Sequence, residues 1–205
     1  SFLFLGGDMI DGYFFNPAQM EQIEQAPEQV AYLRSMIEVL GKERKLLVAW
    51  AGDHDGWGKK MGIDPYAEFG EKVNAYFMHG VGFVTLKNGD HLTRITAAHQ
   101  LPGHSIYNKA HPSIRASKDI QGADWYINFH THEKAHLEQG VNLFGGDARW
   151  VHACSCGPYK ASDEYSRKKG WMHQNPKKMF GFSFILEGDK SIYYKDILEA
   201  HRSFK

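Results

Sequence analysis

Several apolar runs in this chain stop on side chains that resist burial, and this constrains the fold more than any other feature. "LLVAW" (46–50) gives way within three residues to Asp53-His54-Asp55, and "FLFL" (2–5) to Gly6-Gly7-Asp8. "LTRITAA" (92–98) ends on His99, and "DWYIN" (124–128) runs into His130 and His132. Short apolar runs bounded by glycine and polar residues read as buried strands. An ionisable group at such an exit is either solvated in an ordinary turn or offset by something of opposite charge, such as a metal ion. In open α/β sheets, ligand-binding residues stand just beyond the carboxyl ends of the strands, and four strand ends here carry metal-competent groups.

The intervening segments set the fold class. Residues 16–44, "NPAQMEQIEQAPEQVAYLRSMIEVLGKER", place Val30, Leu33, Ile37 and Leu40 at helical spacing, with Pro27 breaking or restarting the helix and Gly41 as its C-cap. Residues 64–80, "DPYAEFGEKVNAYFMHG", begin with an Asp N-cap and a proline at the first helical position, which predicts a second helix. Beyond Gly80 the chain becomes strand-rich. A hairpin is expected around Asn88-Gly89-Asp90, and "ADWYINFHTH", "QGVNLFGG", "ARWVHACSCG", "FGFSFILEG" and "KSIYYKD" follow as strands. Strand–helix–strand first and strands later predict an α/β fold with a mixed sheet or two packed sheets, in one domain spanning 1–205.

Composition removes some function classes. The chain has 205 residues with 24 basic and 24 acidic side chains, so the formal net charge is zero and a global field for nucleic acid is absent. No apolar run approaches the roughly 20 residues of a membrane helix. Two cysteines, Cys154 and Cys156, cannot build a disulfide framework, so the expected setting is reducing and cytoplasmic. They share one face of a strand-like run, where core packing outweighs a metal or redox role.

Taken singly, the candidate residues have bland readings. Asp8 after two glycines reads as a turn or cap residue, and His99 as a core-edge histidine. His130-x-His132 is more specific, because a period of two puts both imidazoles on one face of an extended segment. His111, His136, His152 and His173 are read as ordinary. The ordered set carries the weight: "GGDMID" (6–11), "AGDHD" (51–55), "AAHQLPGH" (97–104) and "FHTH" (129–132).

That order resembles the calcineurin-like metallophosphoesterases, and "CGPYKASDEYSRKKGW" (156–171) is similar to the tail of phage-type members. The resemblance implies a metallophosphoesterase-like α/β/β/α sandwich, in which two packed mixed β-sheets are flanked by helices. It further implies hydrolysis of a phosphomonoester or phosphodiester by metal-activated water at a dinuclear site. Two divalent ions (Mn, Fe, Zn or Ni, with Mn favoured) are then the cofactors, and a phosphate ester is the partner. Nucleic acid as substrate is not indicated by charge, and no membrane is expected. On the family pattern Asp8 bridges the ions; Asp53, His99 and His130 complete one shell, and His132 contributes to the other. His54 faces the phosphate as a catalytic group, and Asp55 orients His54 or shapes its loop. His104, Tyr107 and Arg115 are candidates for the substrate side, although a polar loop held by Pro102 and Gly103 accounts for them equally well.

Three positions depart from the pattern. The family's D-x-H motif is not in the chain and its place falls upstream of Ser1, so an N-terminally truncated domain is expected, this fragment itself being a candidate for inactivity. The usual Asn of G-N-H-(D/E) is Asp53, and the Gly usual before H-x-H is Phe129. The competing reading is a catalytically degenerate scaffold of the same fold that binds a protein partner. A third is a metal-free α/β binding module whose histidines are incidental. A carboxylate at Asp53 adds one negative charge to the cluster, favouring a hard cation such as Mn²⁺ and weakening attraction for phosphate. Asp53→Asn is therefore expected to change metal affinity and phosphatase rate together; if both stay at the wild-type value, the charge argument is wrong.

Overall fold

The computed structural model describes residues 2–11, 26–57, 64, 66, 73–142, 145–146, 148–160, 167–168, 170 and 179–203. Over these residues the chain is mixed α/β with three sheets and flanking helices, and it falls into two compact units, 1–80 with 162–172 and 81–161 with 173–205. Among the described residues no helix is long and apolar enough to cross a membrane.

The first unit is a parallel three-stranded sheet in the order β1 (Leu3–Leu5), β2 (Leu46–Trp50), β3 (Tyr76–Met78). Parallel neighbours need a crossover, and helix α1 (Ala26–Lys42) lies between β1 and β2. Pro27 sits in its first turn, where its missing N–H costs nothing. Glu28 in the first turn and Lys42 in the last complement the helix dipole. Val30, Leu33 and Ile37 are buried with Leu46, Ile10, Tyr66 and Val73, and Leu40 packs against them. Each such side chain contributes about 1.5–3 kcal/mol by leaving water.

Two local readings change. Gly41 does not cap α1. The turn beyond the helix is made by Arg44, which takes φ +52°, while the Arg44 N–H donates to the Gly41 carbonyl (2.9 Å) and the Lys45 N–H to the Leu40 carbonyl (2.9 Å). That crossed pair is the Schellman pattern with arginine at the left-handed position. Gly41 serves packing instead, because a Cβ there would stand 2.3 Å from Val73 Cγ1. The helix expected over 64–80 also ends too late, since Tyr76–Met78 pairs with Val48–Trp50 as β3. Aromatic side chains suit a pleated, half-buried strand, and pairing with the buried β2 overrides the helical spacing. The Tyr66 N–H donates to Asp64 Oδ1 (2.9 Å), as an Asp-led turn requires; residues 65 and 67–72 lie outside the described ones.

The second unit holds a five-stranded sheet in the order β4-β5-β6-β8-β7: β4 (Gly82–Asn88), β5 (His91–Ala98), β6 (Trp125–Asn128), β8 (Ala148–Ser155), β7 (Ala135–Asn142). β4 and β5 form the expected hairpin, with Gly89-Asp90 as its two-residue loop. β5, β6 and β8 run parallel, and β7 is antiparallel to β8. All four residues of β6 are buried, as a central parallel strand requires. Tyr126 faces Ala116 of helix α3 (His111–Asp119), while Trp125 faces the other way, stacking on Phe184 (4.8 Å) and His152 (3.9 Å). Phe184 belongs to a separate hairpin, β9 (Ser183–Glu187) and β10 (Lys190–Tyr194), against which helix α4 (Ile197–Ser203) packs. Arg44→Gly is expected to raise stability by about 1 kcal/mol through relief of the left-handed turn. Gly41→Ala should lower it by about 1–3 kcal/mol despite alanine's better helix propensity. Urea unfolding of the two variants reads both signs.

Candidate functional site

Within the first unit, the exits of β1 and β2 are fastened by one buried carboxylate. Asp55, with no exposed surface, accepts N–H groups from Met9 (3.0 Å) and Ile10 (3.3 Å) on Oδ1. Its Oδ2 accepts the Gly52 N–H (2.9 Å) and the Tyr66 hydroxyl (2.7 Å). Burial pushes the Asp55 pKa above the usual carboxylate value, and the Gly52 and Tyr66 donors pull it back. Burial, followed by the charge of Asp55, raises the Tyr66 phenol, which stays a donor. Of its two expected roles, then, Asp55 has the loop-shaping one. The ring of His54 is held elsewhere: its Nδ1 is 2.8 Å from the Asp11 carbonyl, which can only accept, so Nδ1 carries the proton and Nε2 is the nitrogen that can exchange one.

Asp8 is placed by the same turn. It takes φ +51°, a sparsely populated conformation for a residue with a side chain, and its Oδ1 accepts the His54 N–H (2.9 Å). Gly52 makes room for it, since a Cβ there would meet Asp8 N and Oδ1 at 2.1 Å. Asp53, the first residue of the one-turn helix α2 (Asp53–Trp57), is exposed.

In the second unit, His99 and His130 follow the carboxyl ends of the adjacent parallel strands β5 and β6. His99 is buried, and its Nε2 stands 3.1 Å from His130 Nδ1. The rings of His130 and His132 are 6.0 Å apart between centroids, and His132 also has a left-handed backbone, φ +53°. The loops carrying these imidazoles are tied by Asn128, at the end of β6. Its Oδ1 accepts the Leu101 N–H (2.7 Å), and its Nδ2 donates to Thr131 Oγ1 (3.1 Å). The candidate substrate residues are less engaged. His104 and Tyr107 are exposed on the loop before α3, and Arg115, exposed on α3, pairs with Asp119 (3.6 Å). Of the predicted ligands, Asp8 and Asp53 belong to the first unit, and His99, His130 and His132 to the second.

Sequence reasoning overlooked three supports of these groups: the Asp11 carbonyl, Tyr66 and Asn128. Only Asn128 left a signal, as an amide closing a run of buried residues just before the H-x-H segment. It also passed over a third group. His136 and Glu138 on β7 and His152 on β8 bring their ligand atoms within 4.8 Å of one another. Burial, reinforced by His152, lowers the His136 pKa to about 4, and burial lowers that of His152. The cysteines take the packing role. Burial pushes the Cys156 thiol up to about 12 and raises that of Cys154.

No family model, curated protein or solved structure matches the chain. Asn128→Ala removes both acceptor and donor from a buried link and is expected to cost about 1–3 kcal/mol. Chemical denaturation measures this; a loss below about 0.5 kcal/mol would mean that water replaces the amide.

Proposed function

We propose that the chain is a divalent-metal-dependent phosphoesterase of the calcineurin-like type, built as two packed sheets flanked by helices. The observation that carries this reading is the His99–His130 pair at neighbouring parallel strand exits. Two imidazole nitrogens bound to one ion at about 2.0–2.1 Å stand about 3.0–3.4 Å apart, and 3.1 Å fits that spacing. The donor set of carboxylates and imidazoles suits Mn²⁺, Fe or Zn²⁺. In this reading Asp8, Asp53, His99, His130 and His132 hold the ions. Such ions would supply an acidified water and charge relief on the phosphoryl oxygens.

The remaining work falls to the chain. His54 holds a proton on Nδ1 against Asp11, so its Nε2 can take up or deliver the proton that the leaving oxygen needs. Asp55 fixes the turn on which His54 and Asp8 are presented. A phosphate ester then meets Tyr107 and His104 at the rim, with Arg115 exchanging Asp119 for phosphate oxygens.

Mn²⁺ is expected to stimulate hydrolysis of bis-p-nitrophenyl phosphate, chelation to abolish it, and His54→Ala to lower kcat by about 10²–10⁴-fold. Absence of metal-stimulated turnover, or a His54→Ala variant as active as the parent, would falsify the assignment.

A further inference from the structure

We propose that His136, Glu138 and His152 form a second binding site, separate from the residues assigned above, for one zinc-class divalent ion. The site follows from strand register. Glu138 on β7 lies directly opposite His152 on β8, and His136, two residues earlier, is on the same face of the sheet. His136 Nε2 and His152 Nδ1 are 3.1 Å apart, and His152 Nδ1 is 3.7 Å from Glu138 Oε1. Two nitrogens and one carboxylate oxygen thus converge on one point, the two-histidine, one-carboxylate set that binds Zn²⁺ with a fourth position left for water.

Both imidazoles are held before any ion arrives. His152 lies on the indole of Trp125 (centroids 3.9 Å, 15°), and His136 lies on the ring of Tyr193 (3.8 Å, 8°). The two imidazole planes differ by only 18°. Ser191 Oγ accepts the Trp125 indole N–H (3.0 Å) and stands 3.4 Å from His152 Nε2. With the indole N–H on one lone pair, the serine hydroxyl can either accept the Nε2–H of His152 or donate to a bare Nε2, and an ion on Nδ1 selects the Nε2–H tautomer. That tautomer turns the unprotonated Nδ1 toward His136 and Glu138. Three acceptor atoms then share at most one proton, carried by His136 Nε2, and a cation relieves the arrangement better than that proton does. A partner on the far ring nitrogen that fixes tautomer and orientation is what metal-binding histidines generally have.

Glu138 gives the site its access. Its side chain is 60% exposed, against 15% for His152, so an ion enters from the carboxylate side without opening the aromatic stack. The exposed carboxylate also supplies the variant least able to disturb folding.

The test is calorimetric titration of the chelator-stripped full chain with Zn²⁺, repeated with Co²⁺ to read coordination from visible absorption. His130→Ala is expected to retain one equivalent. His136→Gln should lose that equivalent, and Glu138→Gln should bind it about tenfold more weakly or worse, with unchanged circular dichroism. Should Glu138→Gln and His136→Gln both bind with parental stoichiometry and affinity, the site is excluded. So is it if His130→Ala alone removes all Zn²⁺ binding.

Discussion

The carboxylate of Asp55 is the constraint on which the first unit's strand exits depend. Burying a charged group is costly unless every lone pair finds a donor, and Asp55 finds three backbone N–H groups and one phenol. Those donors come from the segment after β1, the turn after β2 and Tyr66, so one side chain fixes three pieces of chain. The Asp53-His54-Asp55 turn resolves into three environments: an exposed carboxylate, a half-buried imidazole on a carbonyl, and a buried carboxylate serving as a fastener.

The second unit solves the same problem differently. There the exits of β5 and β6 are joined by an amide, which supplies both a donor and an acceptor and carries no charge to bury. β6 itself sits between Ala116 on one side and the Trp125 stack on the other, so the register of Asn128 is fixed by two packed faces. A slip of one residue would exchange Trp125 for Tyr126 and carry the His130 loop away from His99.

Much of the architecture was legible. The β4–β5 hairpin, the apolar face of α1 and the strands β6 and β8 to β10 follow from period and turn chemistry, which are local properties, whereas β7 (Ala135–Asn142) starts four residues before the expected "QGVNLFGG" segment. The errors fell where tertiary contact decides. Gly41 reads as a cap, but the close approach of Val73, 32 residues away, gives it a different purpose. Tyr76–Met78 reads as the end of a helix until β2 is known to lie alongside. The candidate site was legible in its ligand types, since Asp and His at strand exits are visible in one dimension. Their supports were not, because a carbonyl such as that of Asp11 has no sequence signature. His136 and His152 looked ordinary because what joins them is a cross-strand diagonal, and the β7–β8 register is not written in either strand alone.

The pairing order of the second sheet has a kinetic side. β4–β5 closes through a two-residue loop and β9–β10 through Gly188-Asp189, so both hairpins cost little chain entropy to form. The parallel contacts β5–β6 and β6–β8 join segments separated by whole elements, and β6 belongs to both. Non-local pairing is slow, so β6 would dock late onto hairpins already made. The last amides to gain protection in pulsed hydrogen exchange would then be those of residues 125–128. The most buried strand of the unit would be the one whose arrival sets the pace of folding.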